Sequence, residues 1–131
     1  MIQQFVVFFA QMLGLRNKND PDVILMKLES AYLQFTGMSM NSLHALSADG
    51  IVTVFSASGE IDCNRIMITA LLFKEEADTL ISIKDFHTAD SLYKKALKLF
   101  EVIEKNESLL SAELREHLSV KEEILKKLAE K

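Results

Sequence analysis

The residues of this chain best suited to chemistry are one cysteine, three histidines and a scatter of carboxylates. Asp85, His87 and Asp90 spell Asp-x-His-x-x-Asp, a spacing that would suit a metal ion if a second element supplied further converging ligands. Turn and cap roles at a helix start explain Asp85 and Thr88 more simply, and leave His87 exposed. Glu113 and His117, four residues apart, would share one helix face as a ligand pair, but that face reads as a solvated charge surface. His44 stands alone in the sequence. Cys63 falls near the start of a long helix, where the dipole would lower a thiol pKa, yet no base or oxyanion motif accompanies it. The neighbours Glu75-Glu76 and Glu122-Glu123 diverge by about 100° on a helix and read as surface charges. No P-loop, GxGxxG, GxSxG or HExxH motif occurs. The expectation is a non-enzymatic protein with no catalytic residues, no cofactor and no metal.

The elements that would position such groups are helices. The chain has 131 residues, 49% hydrophobic and 26% charged, with four Gly and one Pro. So few breakers cannot supply the turn about every ten residues that a sandwich or barrel needs. One domain, residues 1–131, is long enough to bury a core. A lone cysteine excludes an internal disulfide. A net charge of −4 argues against nucleic acid, whose phosphates require a basic face. The charges are graded along the chain: Met1 to Leu15 has none, whereas residues 101–131 mix Glu and Lys densely. The opening stretch lacks the basic start and cleavage site of a signal peptide, and is shorter than the about 20 residues that cross a bilayer. Cytoplasmic residence is the expectation.

Read as a helix, the first segment gathers Gln3, Gln4, Val7 and Gln11 in one sector and is apolar over the rest of its circumference, through Ile2, Phe5, Val6, Phe8, Phe9, Met12 and Leu13. Gly14 is placed to end it, before a polar link from Arg16 to Asn19. Asp20-Pro21 then signals a helix start, and Ile24, Leu25, Leu28, Ala31, Tyr32 and Phe35 recur at helical spacing up to Gly37. Met26 is read as core packing, as are Met67 and Phe73. The composition of residues 51–55 is strand-like, but no second strand exists to pair with it, so two short helical turns near 41–46 and 48–56 fit better. Asp62 caps a long helix carrying Ile66, Ala70, Phe73, Ala77 and Leu80. A break at Lys84-Asp85-Phe86 leads to Ala89, Leu92, Tyr93, Ala96, Phe100 and Ile103 on the next. Ala70, Ala77, Ala89 and Ala96 would let these two helices approach closely. A final helix, about 109–130, places Leu110, Leu114, Leu118, Leu125 and Leu128 on one side.

Residues 70–100 resemble one tetratricopeptide (TPR) repeat. Phe73 stands at a large aromatic position, Ala77 at a small one and Leu80 at a large one. Asp85-Phe86 resembles the Asp-Tyr that ends the turn, and Ala89, Tyr93 and Ala96 form the small, aromatic, small trio of the second helix. Glu76 replaces a usual Leu, Lys84 the usual turn Gly, and Glu101 a common closing Pro. The wider layout resembles an uncharacterised family of short bacterial helical proteins. The TPR likeness implies an antiparallel helical hairpin and a role in protein interaction, with Lys74, Asp78 and Ile81 at groove-facing positions.

The resulting expectation is an all-α antiparallel bundle: a hydrophobic helix pair at residues 1–37, a TPR-like hairpin at 62–104 and a capping helix at 109–130. One hairpin cannot bury its own faces, so the charge-free first helix is expected to pack between subunits of a homo-oligomer, a dimer, through Phe5, Val6, Phe8, Phe9, Met12 and Leu13. Another protein is a further candidate partner. The first alternative is a peripheral membrane protein that lays this helix on lipid, although interfacial helices usually carry Lys or Arg; the second is a small enzyme with a pocket between helices.

Overall fold

The computed structural model describes residues 2–15 and 20–130, without the side chain of Leu15. The expected polar link from Arg16 to Asn19 lies outside the described residues. The order is α1 (Ile2–Leu15), α2 (Pro21–Thr36), α3 (Met40–Ala45), α4 (Ala48–Val54), α5 (Cys63–Ser82), α6 (Phe86–Glu104), a 3-10 turn (Glu107–Leu109), α7 (Ala112–Arg115) and α8 (Val120–Ala129). The fold is an all-α bundle, with no strand among the described residues.

Local chemistry sets most boundaries. The Asp20 carboxylate accepts from the Asp22 amide with Pro21 at the first helical position, and Gly37 closes α2 in the left-handed region at φ 80°. Ser39, Ser47, Asp62 and Asp85 cap α3, α4, α5 and α6 through their side chains. Each accepts an amide that would otherwise lack a partner. Gly14 does not end α1, which continues to Leu15. The turn between α5 and α6 puts Lys84 at φ 65°, a conformation that costs any residue with a Cβ.

The longest helix, α5, is the axis of the bundle. Every residue from Ile66 to Ala77 is buried, because α6 and α2 pack along it and α8 reaches it through Glu123. The α5–α6 seam is the most extensive contact in the molecule; Ala70, Ala77, Ala89 and Ala96 are all buried there or beside it. Leu92, Tyr93, Leu99, Phe100 and Ile103 of α6 are buried as well, and each large apolar side chain removed from water contributes about 2 kcal/mol. This seam therefore carries the largest apolar share of stability.

The expected single helix over 109–130 is broken instead. Residues 114–122 are linked by i→i−3 bonds, among them His117 N–H to Leu114 C=O and Val120 N–H to His117 C=O. Such a stretch winds more tightly than an α-helix, so it rotates the residues after it to a new face. Val120 and Ile124 become the buried residues of α8, Leu118 and Leu128 are half-buried, and Leu125 is exposed.

Candidate interaction surface and buried polar network

The aromatic residues of α1 form a cluster with those of its neighbours. Phe5 stacks on Phe9 at 5.8 Å and meets Phe35 of α2 edge-on at 5.3 Å. Phe8 lies 5.5 Å from Phe35, and the His117 ring stands edge-on to Phe9 at 5.0 Å. The six residues expected to form one interface therefore divide. Phe5, Phe9 and Met12 are buried within the chain, Val6 and Phe8 are half-buried, and Leu13 is exposed. The first three are spent on the chain's own core and are not open to a partner.

What remains outward is a different apolar set. Val7 and Leu13 of α1 are 56% and 47% exposed, and Val23, Met26 and Leu33 of α2 are 40%, 68% and 59% exposed. Met26 is thus a surface residue rather than core packing. Contact between α1 and α2 is slight, which leaves an open cleft of about 420 Å³ lined by Phe8, Gln11, Met12, Val23, Met26 and Lys27 among others. On the other side of α1, Gln3, Gln4, Val6 and Val7 form a hollow with Glu113 of about 710 Å³. Lys27 and Glu113 are the charged residues lining these two depressions. The sequence signal for this surface was the second line Val23, Met26 and Leu33, off the core stripe of α2.

One set of converging polar residues lies inside the molecule. Glu76, 3% exposed, accepts from the Tyr32 hydroxyl at 2.6 Å and lies 2.9 Å from His44 Nε2. Lys95 Nζ donates to the His44 carbonyl at 2.6 Å. His44 is therefore not isolated, and the Glu75-Glu76 pair is not a surface pair, since both residues are buried. Burial, then the neighbouring Glu76 carboxylate, holds the Tyr32 phenol well above the ordinary tyrosine pKa, so Tyr32 stays a donor at neutral pH. The arrangement ties α2, α3 and α6 to α5, with Glu76 enclosed and both of its close partners supplied by the chain.

An ionic cluster lies on the same stretch of α5. Lys74 Nζ sits 2.7 Å from Asp78, 3.6 Å from Glu75 and 3.6 Å from Glu123 of α8, and the Tyr93 hydroxyl donates to Asp78. Lys74 and Asp78, expected to face a groove, have side chains only 6% and 5% exposed. Contacts within the chain enclose them, with Tyr93 of α6 at Asp78 and Glu123 of α8 beside Lys74; Ile81 is half-buried.

The remaining candidates do not gather into a site. Cys63 is 2% exposed, and burial followed by Asp62 and Glu107 pushes its thiol pKa up, so the expected helix-dipole activation is overridden. His87 is exposed and Asp85 caps α6. Glu113 is exposed, while the neighbouring His117 is half-buried against Phe9. Among the described residues, no three His, Cys, Asp or Glu side chains gather as metal ligands, and no helix is long and apolar enough to cross a membrane. Comparison with protein-family models, curated proteins and solved structures finds no match.

Proposed function

We propose that this chain is a non-enzymatic interaction module of the cytoplasm that associates with a second copy of itself across the outer faces of α1 and α2. The observation that carries this reading is the exposed apolar line Val23, Met26 and Leu33 along α2, which borders the open cleft shared with α1, a helix with no charged residue. Scattered exposed apolar residues are ordinary, whereas contiguous ones mark contact surfaces. A two-fold dimer buries the same patch twice, so it covers both copies without a second complementary surface. A stable pairing of this kind removes about 800 Å² from each partner, an area that two adjacent helix faces of this length can supply. The TPR-like pattern of residues 70–100 supports an interaction role, and the burial of the Lys74 and Asp78 side chains directs attention to α1 and α2 rather than the hairpin.

Size-exclusion chromatography with light scattering tests the proposal. The expected result is a dimer at micromolar concentration that Val23→Asp with Met26→Asp converts to a folded monomer. A monomeric parent protein overturns it, as does a dimer that these two substitutions leave intact. Co-sedimentation of the monomeric parent with vesicles, abolished by the same substitutions, would assign the surface to lipid instead.

A further inference from the structure

A second concave surface lies away from α1 and α2, and its chemistry is opposite. The start of α4 and one face of α6 form a groove of about 370 Å³ lined by Lys94, Lys95 and Lys98, with the His87 ring, the hydroxyls of Ser47 and Ser91 and the carboxylate of Asp90. Residues 91, 94, 95 and 98 share this face because they recur at three- and four-residue intervals along α6. The groove is basic on a chain whose net charge is −4.

Lys95 is the informative member. It is partly buried, and its ammonium is held in place by the His44 carbonyl at 2.6 Å. Among the described residues no carboxylate lies within 4.0 Å of it. Cations withdrawn from water are ordinarily matched by a carboxylate, so a fixed ammonium hydrogen-bonded only to a neutral carbonyl leaves a positive charge for a ligand to meet. Burial alone pulls the Lys95 pKa below the ordinary lysine value, a cost that a bound anion would offset. Lys94 reaches Asp90 at only 3.7 Å with a side chain 67% exposed, which leaves it free to swing toward a ligand. Three ammoniums against one lining carboxylate leave a surplus that matches a dianion.

We infer that this groove binds a phosphoryl dianion, as free phosphate or as the phosphomonoester of a small molecule. A phosphomonoester carries about −1.5 to −2 at neutral pH and offers three acceptor oxygens. The spread of ammonium and hydroxyl donors on two elements suits that tripod better than the planar, monoanionic carboxylate. The volume is at the lower end of the range for small-molecule sites.

Heteronuclear NMR of the 131-residue chain, titrated at constant ionic strength with inorganic phosphate, glycerol 3-phosphate or succinate, tests this. Saturable shifts of the Ser47, Ala48, Ser91 and Lys95 amides with either phosphate compound, and weaker ones with succinate, are expected. Tighter binding of glycerol 3-phosphate assigns the site to esters, and tighter binding of inorganic phosphate assigns it to the free ion. Lys94→Gln with Lys98→Gln, both exposed positions, should weaken binding at least about tenfold while leaving the spectrum of the folded protein in place. Lys95→Gln should do the same, and circular dichroism of that variant separates lost binding from lost folding. Shifts that do not saturate, that succinate reproduces equally, or that survive the double substitution overturn the assignment.

Discussion

Tyr32→Phe probes the buried network with the least change in shape. It deletes one oxygen, and with it the 2.6 Å bond to Glu76, while the ring keeps its place against Phe73 at 5.9 Å. Glu76 would remain buried with His44 as its one side-chain donor. A hydrogen bond to a charged group contributes about 1.5–3 kcal/mol, and leaving a buried acceptor short of a partner costs a similar amount. A loss of about 2 kcal/mol is therefore expected. With an unfolding entropy of about 2.1 cal/mol/K per residue, that loss lowers Tm by about 7 °C for a chain of this length. Urea denaturation followed by circular dichroism measures the first quantity and a thermal melt the second. Glu76→Gln supplies a neutral acceptor, so in that background the cost of Tyr32→Phe should fall to about 1 kcal/mol. A loss within about 0.5 kcal/mol of zero, the range of ordinary surface substitutions, would refute the role given to the network. So would a cost that Glu76→Gln does not alter.

The same tyrosine predicts a pH dependence. Its folded-state pKa is raised, so its contribution is complete below the unfolded value of about 10 and is lost as pH climbs above it; denaturation midpoints that stay flat from pH 9 to 12, both round figures on the tyrosine scale, would contradict this. Lys74→Met removes the cation between Glu75, Asp78 and Glu123 and should cost about 3–5 kcal/mol, and a variant as stable as the parent in urea would show that the cluster holds nothing. Lys84→Gly relieves the left-handed backbone at φ 65° and should stabilise by about 1 kcal/mol, against an unchanged or lowered Tm if that turn is unstrained. Cys63, buried with a raised pKa, should resist iodoacetamide at neutral pH until denaturant is added; prompt native labelling would mean that the thiol is open to solvent.

Features governed by a few neighbouring residues were legible in the sequence. Asp20, Asp62 and Asp85 as caps, Gly37 as a stop and the helical reading of residues 51–55 depend on chemistry within a turn or two, and the structure agrees with them. Features governed by distant packing were not. Glu75 and Glu76 looked like surface charges because adjacent carboxylates usually are, yet α5 is enclosed on several sides, and partners at separations of 44 and 32 residues come to Glu76. The aromatic residues of α1 looked like an interface because nothing near them in sequence could cover them; Phe35 and His117 do so from elsewhere in the chain. The last helix failed for a subtler reason. Its leucine pattern assumes one unbroken period, and the tight turn between α7 and α8 resets the phase without a Gly or Pro to announce it. The basic groove was missed because Ser47 and the lysines of α6 lie far apart in sequence, and only the packing of α4 on α6 brings them to one face.

The enclosure of α5 also orders the molecule in time. A helix whose middle three turns are covered by other helices exchanges its amide hydrogens there only when the whole bundle opens, whereas α8, ten residues long with Val120 and Ile124 as its buried members, can lift away in a smaller excursion. That excursion takes Glu123 away from Lys74 and opens that end of the ionic cluster, while Tyr32, Glu76 and His44 stay in place. The two polar clusters on one helix are thus separated by the free energy at which water reaches them, with the ionic one the first to be wetted.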